Sequence, residues 1–206
     1  MLDTIKQSPD TGASKAEQTR QHILSEALFL ATSRSLNDVT IGKLAKASGL
    51  SKSGLYAHFG SKENLQVSIV NYAAELFAEK VIREVSAQME PVARITALAY
   101  RWINWYEGCG TKCLFMGATV EFSDKPGPVQ DALFRQIKRW ISYLENIAEQ
   151  AISDKSFRSD SNCQQFVYEL YSLFLGSQKY HWMGKESSDR ELFTTGFNRL
   201  IKHYSH

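Results

Sequence analysis

The sequence has few residues that interrupt helices, with four prolines and twelve glycines among 206 residues. A β-sandwich needs more turns than that, so this composition favours a predominantly helical protein. No stretch approaches the roughly eighteen uninterrupted apolar residues of a membrane-spanning helix, and we expect no membrane partner. The three cysteines are an odd number, and the first ten residues do not show the basic-then-apolar pattern expected of a secretory leader. Reduced thiols and a cytoplasmic location are therefore expected.

The net charge of the chain is small, because its 24 Lys and Arg residues are nearly balanced by 22 Asp and Glu residues. The distribution is uneven, however. Residues 14–64 hold seven basic and four acidic residues, whereas residues 65–206 are balanced. Apolar residues make up 43% of the chain, which is enough to fill a core and excludes a disordered protein. The basic excess thus lies in the N-terminal part.

Helical periodicity and capping residues divide the chain into a flexible segment, 1–13, and nine predicted helices. The helices are predicted at 15–34, 41–48, 51–58, 62–88, 92–107, 114–123, 128–154, 160–183 and 189–204. Capping boxes at Ser14 and Ser188 support two of the starts. The fold class is all-α, with a three-helix domain over 14–64 and a larger helical domain over 65–206.

Two short helices joined by the turn Ser48-Gly49-Leu50 have the spacing of a helix-turn-helix. Ala45 is small enough to let the helices approach, and Gly49 accepts a left-handed turn conformation. We expect the inward side chains to be Leu44, Leu50, Leu55 and Phe59. The pattern predicts a unit that can present its second helix to DNA.

The outer face of that second helix carries small or polar side chains and one tyrosine. Such a face can lie close to base edges in a major groove, and the surrounding hydroxyl and amine groups suit phosphates. The predicted DNA-binding residues are Thr40, Lys43, Ser51, Lys52, Ser53, Gly54, Tyr56, Ala57, His58 and Lys62. No arginine is present to read guanine, so specificity depends on few contacts, duplex shape and paired half-sites. Alternatively, this is a three-helix unit that does not bind DNA, and its lysines are ordinary surface charges.

From Thr19 to about Phe77 the segment resembles the DNA-binding domain of the tetracycline-repressor (TetR) family of transcriptional regulators. The most specific string is LYAHFGSKENL, residues 55–65. The resemblance is carried by Thr40, Ile41, Leu44, Ala45, Gly49, Leu50, Ser51, Lys52, Leu55, Tyr56, His58, Phe59, Lys62, Glu63 and Leu65. It implies that Thr40, Ser53, Gly54, Tyr56, Ala57, His58 and Lys62 face DNA. Ala57 departs from the larger polar residue common there and can offer only a methyl contact.

The resemblance also implies a homodimer that binds a palindromic operator and is released by a small-molecule effector. The segment GCGTKCLFMGATVEFSDKPGP resembles a C-terminal type found in one branch of that family. We expect the dimer to form through the last two helices, which are rich in apolar residues. These are Leu170, Phe174, Trp182, Phe193, Phe197, Leu200, Ile201 and Tyr204. The same residues could instead face only their own core.

Aromatic side chains concentrate in the fifth to eighth helices, and a pocket that they line would suit an apolar or aromatic small molecule. Aromatics at helical spacing are also common in cores. The candidate effector-binding residues are Trp102, Trp105, Tyr106, Phe115, Thr119, Phe122, Trp140, Tyr168, Tyr171 and Gln178. Asn104 and Glu121 are further polar candidates.

Three other functions remain open at this point. Cys109 and Cys113 could form a redox-responsive switch, or one of them could be the nucleophile of an enzyme. Neither thiol has a local catalytic signature, and we predict no enzyme, cofactor or metal site. A sequence-independent architectural DNA binder is the third alternative, which the neutral C-terminal part disfavours.

Overall fold

The computed structural model describes residues 15–108, 113–184 and 186–206, without the side chains of 15, 106–108 and 186–189. The described residues form nine α-helices and no strand, as predicted. They are α1 Lys15–Ser33, α2 Ile41–Ser48, α3 Lys52–Phe59, α4 Lys62–Phe77, α5 Pro91–Gly108, α6 Leu114–Glu121, α7 Pro128–Ser153, α8 Cys163–Trp182 and α9 Glu186–Tyr204. The predicted flexible segment 1–13 and the capping box at Ser14 lie outside the described residues, as does the side chain of Ser188. None of the described helices is long and apolar enough to cross a membrane.

Local capping fixes the starts of α2, α3 and α4. The hydroxyls of Thr40, Ser51 and Ser61 accept hydrogen bonds from the backbone N–H three residues later, at 3.0–3.1 Å. Such caps satisfy amides that have no partner within the helix. Gly49 ends α2 at φ +70°, in the left-handed region where a side chain is strained. The helix-turn-helix is therefore specified by its own sequence.

Leu50 departs from the prediction that it packs inside. It lies in the turn between α2 and α3 and is 37% exposed, whereas Leu44 and Leu55 are fully buried and Phe59 is 4% exposed. The reversal at Gly49 turns the chain before Leu50 can reach the core. Only the residues within the helices follow the helical period.

The fourth helix ends earlier than the predicted Gln88. After Phe77 the chain continues as a π-helix over Ala78–Ile82, and turns follow. Arg101 donates to the carbonyl of Lys80 from Nε at 3.2 Å and from Nη2 at 3.0 Å, and pairs with Glu84 at 3.2 Å. That carbonyl therefore accepts hydrogen bonds from a side chain of α5.

The chain divides into two compact units. The first comprises the described residues up to Glu79 together with Tyr106–Ile137. In it, α1 to α4 share one apolar core with α6 and the start of α7. The α6 and α7 members of that core are Leu114, Ala118, Phe122, Val129, Ala132 and Leu133. Removing such side chains from water supplies most of the stability of a small helical unit.

The second unit comprises Lys80–Trp105 and Lys138–His206. Its core contains Phe157, from the connection between α7 and α8, in edge contact with Phe166 at 5.1 Å. Phe166 also meets Tyr204 edge-on at 5.1 Å. The backbone N–H of Arg158 donates to the carbonyl of Tyr204 at 2.9 Å. These contacts hold the end of α9 against the start of α8.

Candidate nucleic-acid interface

The outer face of α3 is exposed along its whole length. Ser53, Gly54 and Ala57 are exposed, and Tyr56 is 56% exposed. Leu55 and Phe59, on the opposite face, are buried. The structure therefore confirms which side of this helix is available to a partner, although DNA contact itself stays a prediction.

Gly54 has a structural role within the chain. A Cβ there would lie 3.1 Å from the Ser51 hydroxyl oxygen, which caps α3 through the Gly54 N–H at 3.0 Å. The Ser51 oxygen also lies 3.2 Å from the Ser53 hydroxyl oxygen. Glycine therefore leaves room for the Ser51 cap, and it leaves the first turn of α3 without a side chain at this position.

The predicted phosphate-binding lysines surround this face and are exposed. Lys43 forms a surface ion pair with Asp38 at 3.4 Å, and Lys62 donates to the Asn37 amide oxygen at 3.4 Å. The Lys43 and Asp38 side chains are 52% and 60% exposed. Such pairs contribute only about 0–1 kcal/mol, so a phosphate can replace the acidic partner.

Sequence reasoning missed Arg20, which holds the end of α3 from α1. Its guanidinium donates to the His58 carbonyl at 3.2 Å and to the Ser68 hydroxyl at 3.3 Å. It also lies 4.8 Å from the centre of the Phe59 ring. A cation at a helix C-terminus is favourable. Nothing in the local sequence pattern distinguishes Arg20 from an ordinary surface arginine.

A second missed feature is the set of contacts that holds the connection between α1 and α2. The carboxylate Oε2 of Glu121 accepts from the Ser35 hydroxyl at 2.8 Å and from the Asn37 N–H at 2.9 Å. Gln66 is 3% exposed and donates to the Leu36 carbonyl at 2.9 Å. Glu121 was a candidate for effector binding, but the structure uses it to fix the approach to α2.

Three of the predicted effector residues meet in the second unit. Trp102 contacts Trp140 and Tyr171 edge-on, with ring centres 5.3 Å apart in both pairs. Phe174 joins them, stacked on Trp102 at 3.8 Å. Gln178 is 4% exposed, and its side-chain nitrogen has no hydrogen-bond partner. This group is the strongest candidate for an effector site.

The other predicted effector residues lie elsewhere. Phe115 and Phe122 pack in the core of the first unit, and Thr119 is exposed, with its hydroxyl bonded to carbonyls of its own helix. Tyr168 is 68% exposed, and Trp105 is half-buried. The side chain of Tyr106 lies outside the described residues. Asn104, named as a further candidate, accepts from Arg190 at 2.7 Å.

The packing of α8 against α9 changes which residues can form an interface. Six of the eight named for the dimer are buried in their own chain, namely Leu170, Phe174, Phe193, Phe197, Leu200 and Tyr204. Beside them, α8 and α9 form an open groove of about 680 Å³. Tyr168, Tyr180 and Leu192 line this groove and are 45–68% exposed. A Cβ on Gly196 would lie 2.7 Å from Leu173 Cδ2, so glycine permits the close helix packing.

The surroundings of Cys113 do not favour the reactive thiolate form of its side chain. Burial raises the pKa of Cys113, and backbone hydrogen bonds offset this only in part. Because the thiolate is the reactive form, a raised pKa makes the thiol less reactive at neutral pH. Cys109 lies outside the described residues. Among the described residues, no group of three or more His, Cys, Asp or Glu could hold a metal ion.

Comparison with known proteins identifies the family. The family model described as bacterial regulatory proteins of the tetR family matches residues 23–68, and that described as tetracyclin repressor-like, C-terminal domain matches residues 91–194. The HTH-type transcriptional regulator LmrA of Bacillus subtilis is 27% identical over 159 residues, covering 73% of this chain and 82% of that protein. The HTH-type transcriptional regulator AcrR of Shigella flexneri is 39% identical over 51 residues, and this match spans only 24% of AcrR.

Solved structures of other proteins have the same fold as this chain. A TetR-family transcriptional regulator from Cytophaga hutchinsonii superposes with a TM-score of 0.81 at 20% identity, covering 95% of this chain and 98% of that one. The two family models together span most of the chain, and the first of them covers α2 and α3. The chain thus belongs to the TetR family of bacterial regulatory proteins, and it is a DNA-binding transcriptional regulator and not an enzyme.

Proposed function

We propose that the protein is a homodimeric repressor that binds a palindromic operator through α3 and is released by a small-molecule effector. The observation that carries the proposal is the exposed outer face of α3, whose ends are held by Ser51 and Arg20. A helix fixed at both ends presents its side chains in one geometry, which base recognition requires. A repressor of this kind acts on chromosomal DNA, so we also propose a cytoplasmic location.

Base contacts come from the small residues of this face. The Ser53 hydroxyl can donate to or accept from a base edge, and the Ala57 methyl can meet a thymine methyl. Gly54 lets the start of the helix approach the groove floor. Since hydroxyl and methyl contacts discriminate bases weakly, duplex shape contributes to specificity.

Phosphate contacts come from the rim around α3. Lys43, Lys52 and Lys62 supply charge, and their exposed amines lie on or beside the helix-turn-helix. The remaining predicted donors are Thr40, Ser51, Tyr56 and His58. Each neutralised phosphate releases counterions, so operator affinity falls steeply as salt concentration rises.

The dimer forms through the groove between α8 and α9. An apolar groove that exposes Tyr168, Tyr180 and Leu192 is unusual on a monomer and suits the same surface of a second copy. Two copies would bind half-sites about 34–36 Å apart, one turn of the double helix. The dimer thus adds the specificity that a single α3 lacks.

The effector binds in the C-terminal part, where Trp102, Trp140 and Tyr171 meet and Gln178 lies buried on the same helix as Tyr171. We divide the chain functionally as first predicted from sequence, with 14–64 binding DNA and 65–206 binding effector and partner. An effector that favours the DNA-incompetent state by about 1–3 kcal/mol would change operator affinity by about 5- to 150-fold.

Selection of bound duplexes from a random pool tests the proposal. We expect recovery of a palindrome whose half-sites are one helical turn apart, competing far better than random DNA at fixed salt. A pool in which no sequence is enriched would overturn sequence-specific repression. It would instead match an architectural binder.

A further inference from the structure

Arg94 on α5 carries a charge that the described residues do not neutralise. Its Nη2 donates to the Tyr143 hydroxyl at 2.8 Å, and its guanidinium carbon lies 5.3 Å from the centre of the same ring. No described carboxylate pairs with it, and its Nε is buried without a hydrogen-bond partner. A buried donor without a partner costs free energy, and a guanidinium fits a carboxylate in a two-point contact.

A second buried donor lies on α8. Gln178 is 4% exposed, and its side-chain nitrogen has no partner. It follows Phe174 by one helical turn and Tyr171 by two, so all three lie on one face of the helix. Two aromatic residues therefore precede it on that face.

A continuous series of ring contacts runs from Arg94 to the face of α8 that carries Gln178. We call Trp102, Trp140, Tyr143, Tyr171 and Phe174 the ring cluster. Trp140 lies 6.0 Å from Tyr143, which binds Arg94, and 5.3 Å from Trp102. Trp102 in turn stacks on Phe174, on the helix face that carries Gln178.

We propose that the ring cluster binds a planar aromatic carboxylate, whose charged group pairs with the guanidinium of Arg94. Gln178 supplies a second donor to a carbonyl or hydroxyl oxygen of the ligand. The inference rests on the proposed effector function and names the chemistry of the effector. The rings lie in contact, so the ligand enters by separating them and replaces each lost ring contact with its own aromatic face.

Calorimetric titration of the full-length protein with naphthoate tests the charge requirement. We expect saturable binding at millimolar concentration or below, at least about tenfold weaker binding of neutral naphthamide, and weaker binding of the flexible chain decanoate. Equal affinity for naphthoate and naphthamide, or no saturable binding of naphthoate, would overturn the proposal. Decanoate binding as tightly as naphthoate would overturn the planar requirement.

Variants test the residue assignment. Arg94→Gln should weaken naphthoate binding about ten- to a hundredfold, and Arg94→Lys should weaken it less because the charge remains. Arg101→Gln is the matched control, since Arg101 lies on the same helix and already pairs with Glu84. Equal losses in Arg94→Gln and Arg101→Gln would overturn the assignment. Thermal unfolding of each variant separates lost binding from lost folding.

Acetyl-substituted naphthoates test the second donor. At least one positional isomer should bind more tightly than naphthoate, and the gain should disappear in Gln178→Leu, which removes an unpartnered amide. If no isomer gains, Gln178 is not part of the site. Operator binding measured on the same preparations keeps the two proposals apart. If naphthoate binds but no duplex is preferred, only the repressor function is refuted. If one duplex is preferred but naphthoate does not bind, only the ligand class is refuted.

Discussion

The carboxylate of Glu121 accepts a hydrogen bond from the Ser35 hydroxyl at 2.8 Å, and the same oxygen accepts from the Asn37 N–H at 2.9 Å. One side chain at the end of α6 thus holds the connection that leads into α2. Thr40, the N-cap of α2, follows three residues later. The position of the helix-turn-helix therefore depends on a residue far away in sequence.

Glu121→Ala should destabilise the protein by about 1–3 kcal/mol, because two polar groups lose their acceptor. It should also weaken operator binding. Glu121→Gln should lose less, since an amide oxygen can still accept both bonds. Urea unfolding measures the change, and Thr119→Ala is the control because its hydroxyl bonds only within α6. Equal stability of Glu121→Ala and Thr119→Ala would contradict the role of Glu121.

Lys62→Ala should weaken binding to all duplexes alike. If Lys62 contacts one phosphate, the slope of log affinity against log salt should fall in magnitude by about 0.9. Lys155→Ala is the control, since Lys155 lies in the connection between α7 and α8. An unchanged slope for Lys62→Ala would show that its amine makes no phosphate contact.

Ser53→Ala should alter the preference among operator variants more than the overall affinity. A lost hydroxyl contact is worth about 0.5–1.5 kcal/mol, or about a two- to tenfold change at one base pair. Binding to a set of single-base operator variants measures it. Ser51→Ala serves as the comparison, because losing the α3 cap should lower stability by about 1 kcal/mol and affect all sequences equally. A uniform loss in Ser53→Ala would rule out base contact.

Leu192→Asp should convert the dimer to a monomer. Leu192 lines the groove between α8 and α9 and is 50% exposed, so the change costs the monomer little but would bury a charge in the dimer. Light scattering after size-exclusion chromatography measures the mass. Val120→Asp is the control, as an apolar residue that is 75% exposed on α6. A Leu192→Asp protein that stays dimeric would mean that the interface lies elsewhere.

Local signals in the sequence predicted most of the fold. Thr40 and Ser61 cap helices through neighbouring amides, so their effect is visible in the sequence. Ser51 was predicted as the first residue of its helix and is instead its cap. The exposed face of α3 followed from its helical period in the same way. The prediction that Leu50 is buried was wrong because Leu50 lies in a turn, where the helical period does not apply.

Contacts between distant segments were not predictable. Arg101 donates to the Lys80 carbonyl 21 residues away in sequence, in the segment where a π-helix replaces the predicted continuation of α4. Phe115 and Phe122 have the same aromatic character as Trp102, yet they pack in the other unit. Periodicity gives the buried face of a helix but not the helix that covers it.

The apolar core that α1 to α4 share with α6 and α7 limits how the DNA-binding part can be isolated. A fragment that stops after α4 would leave the surface covered by Leu114, Ala118 and Phe122 open to water. Such a fragment would be prone to aggregate. A chimaeric sensor that borrows this helix-turn-helix should therefore carry α6 and the first turns of α7 with it.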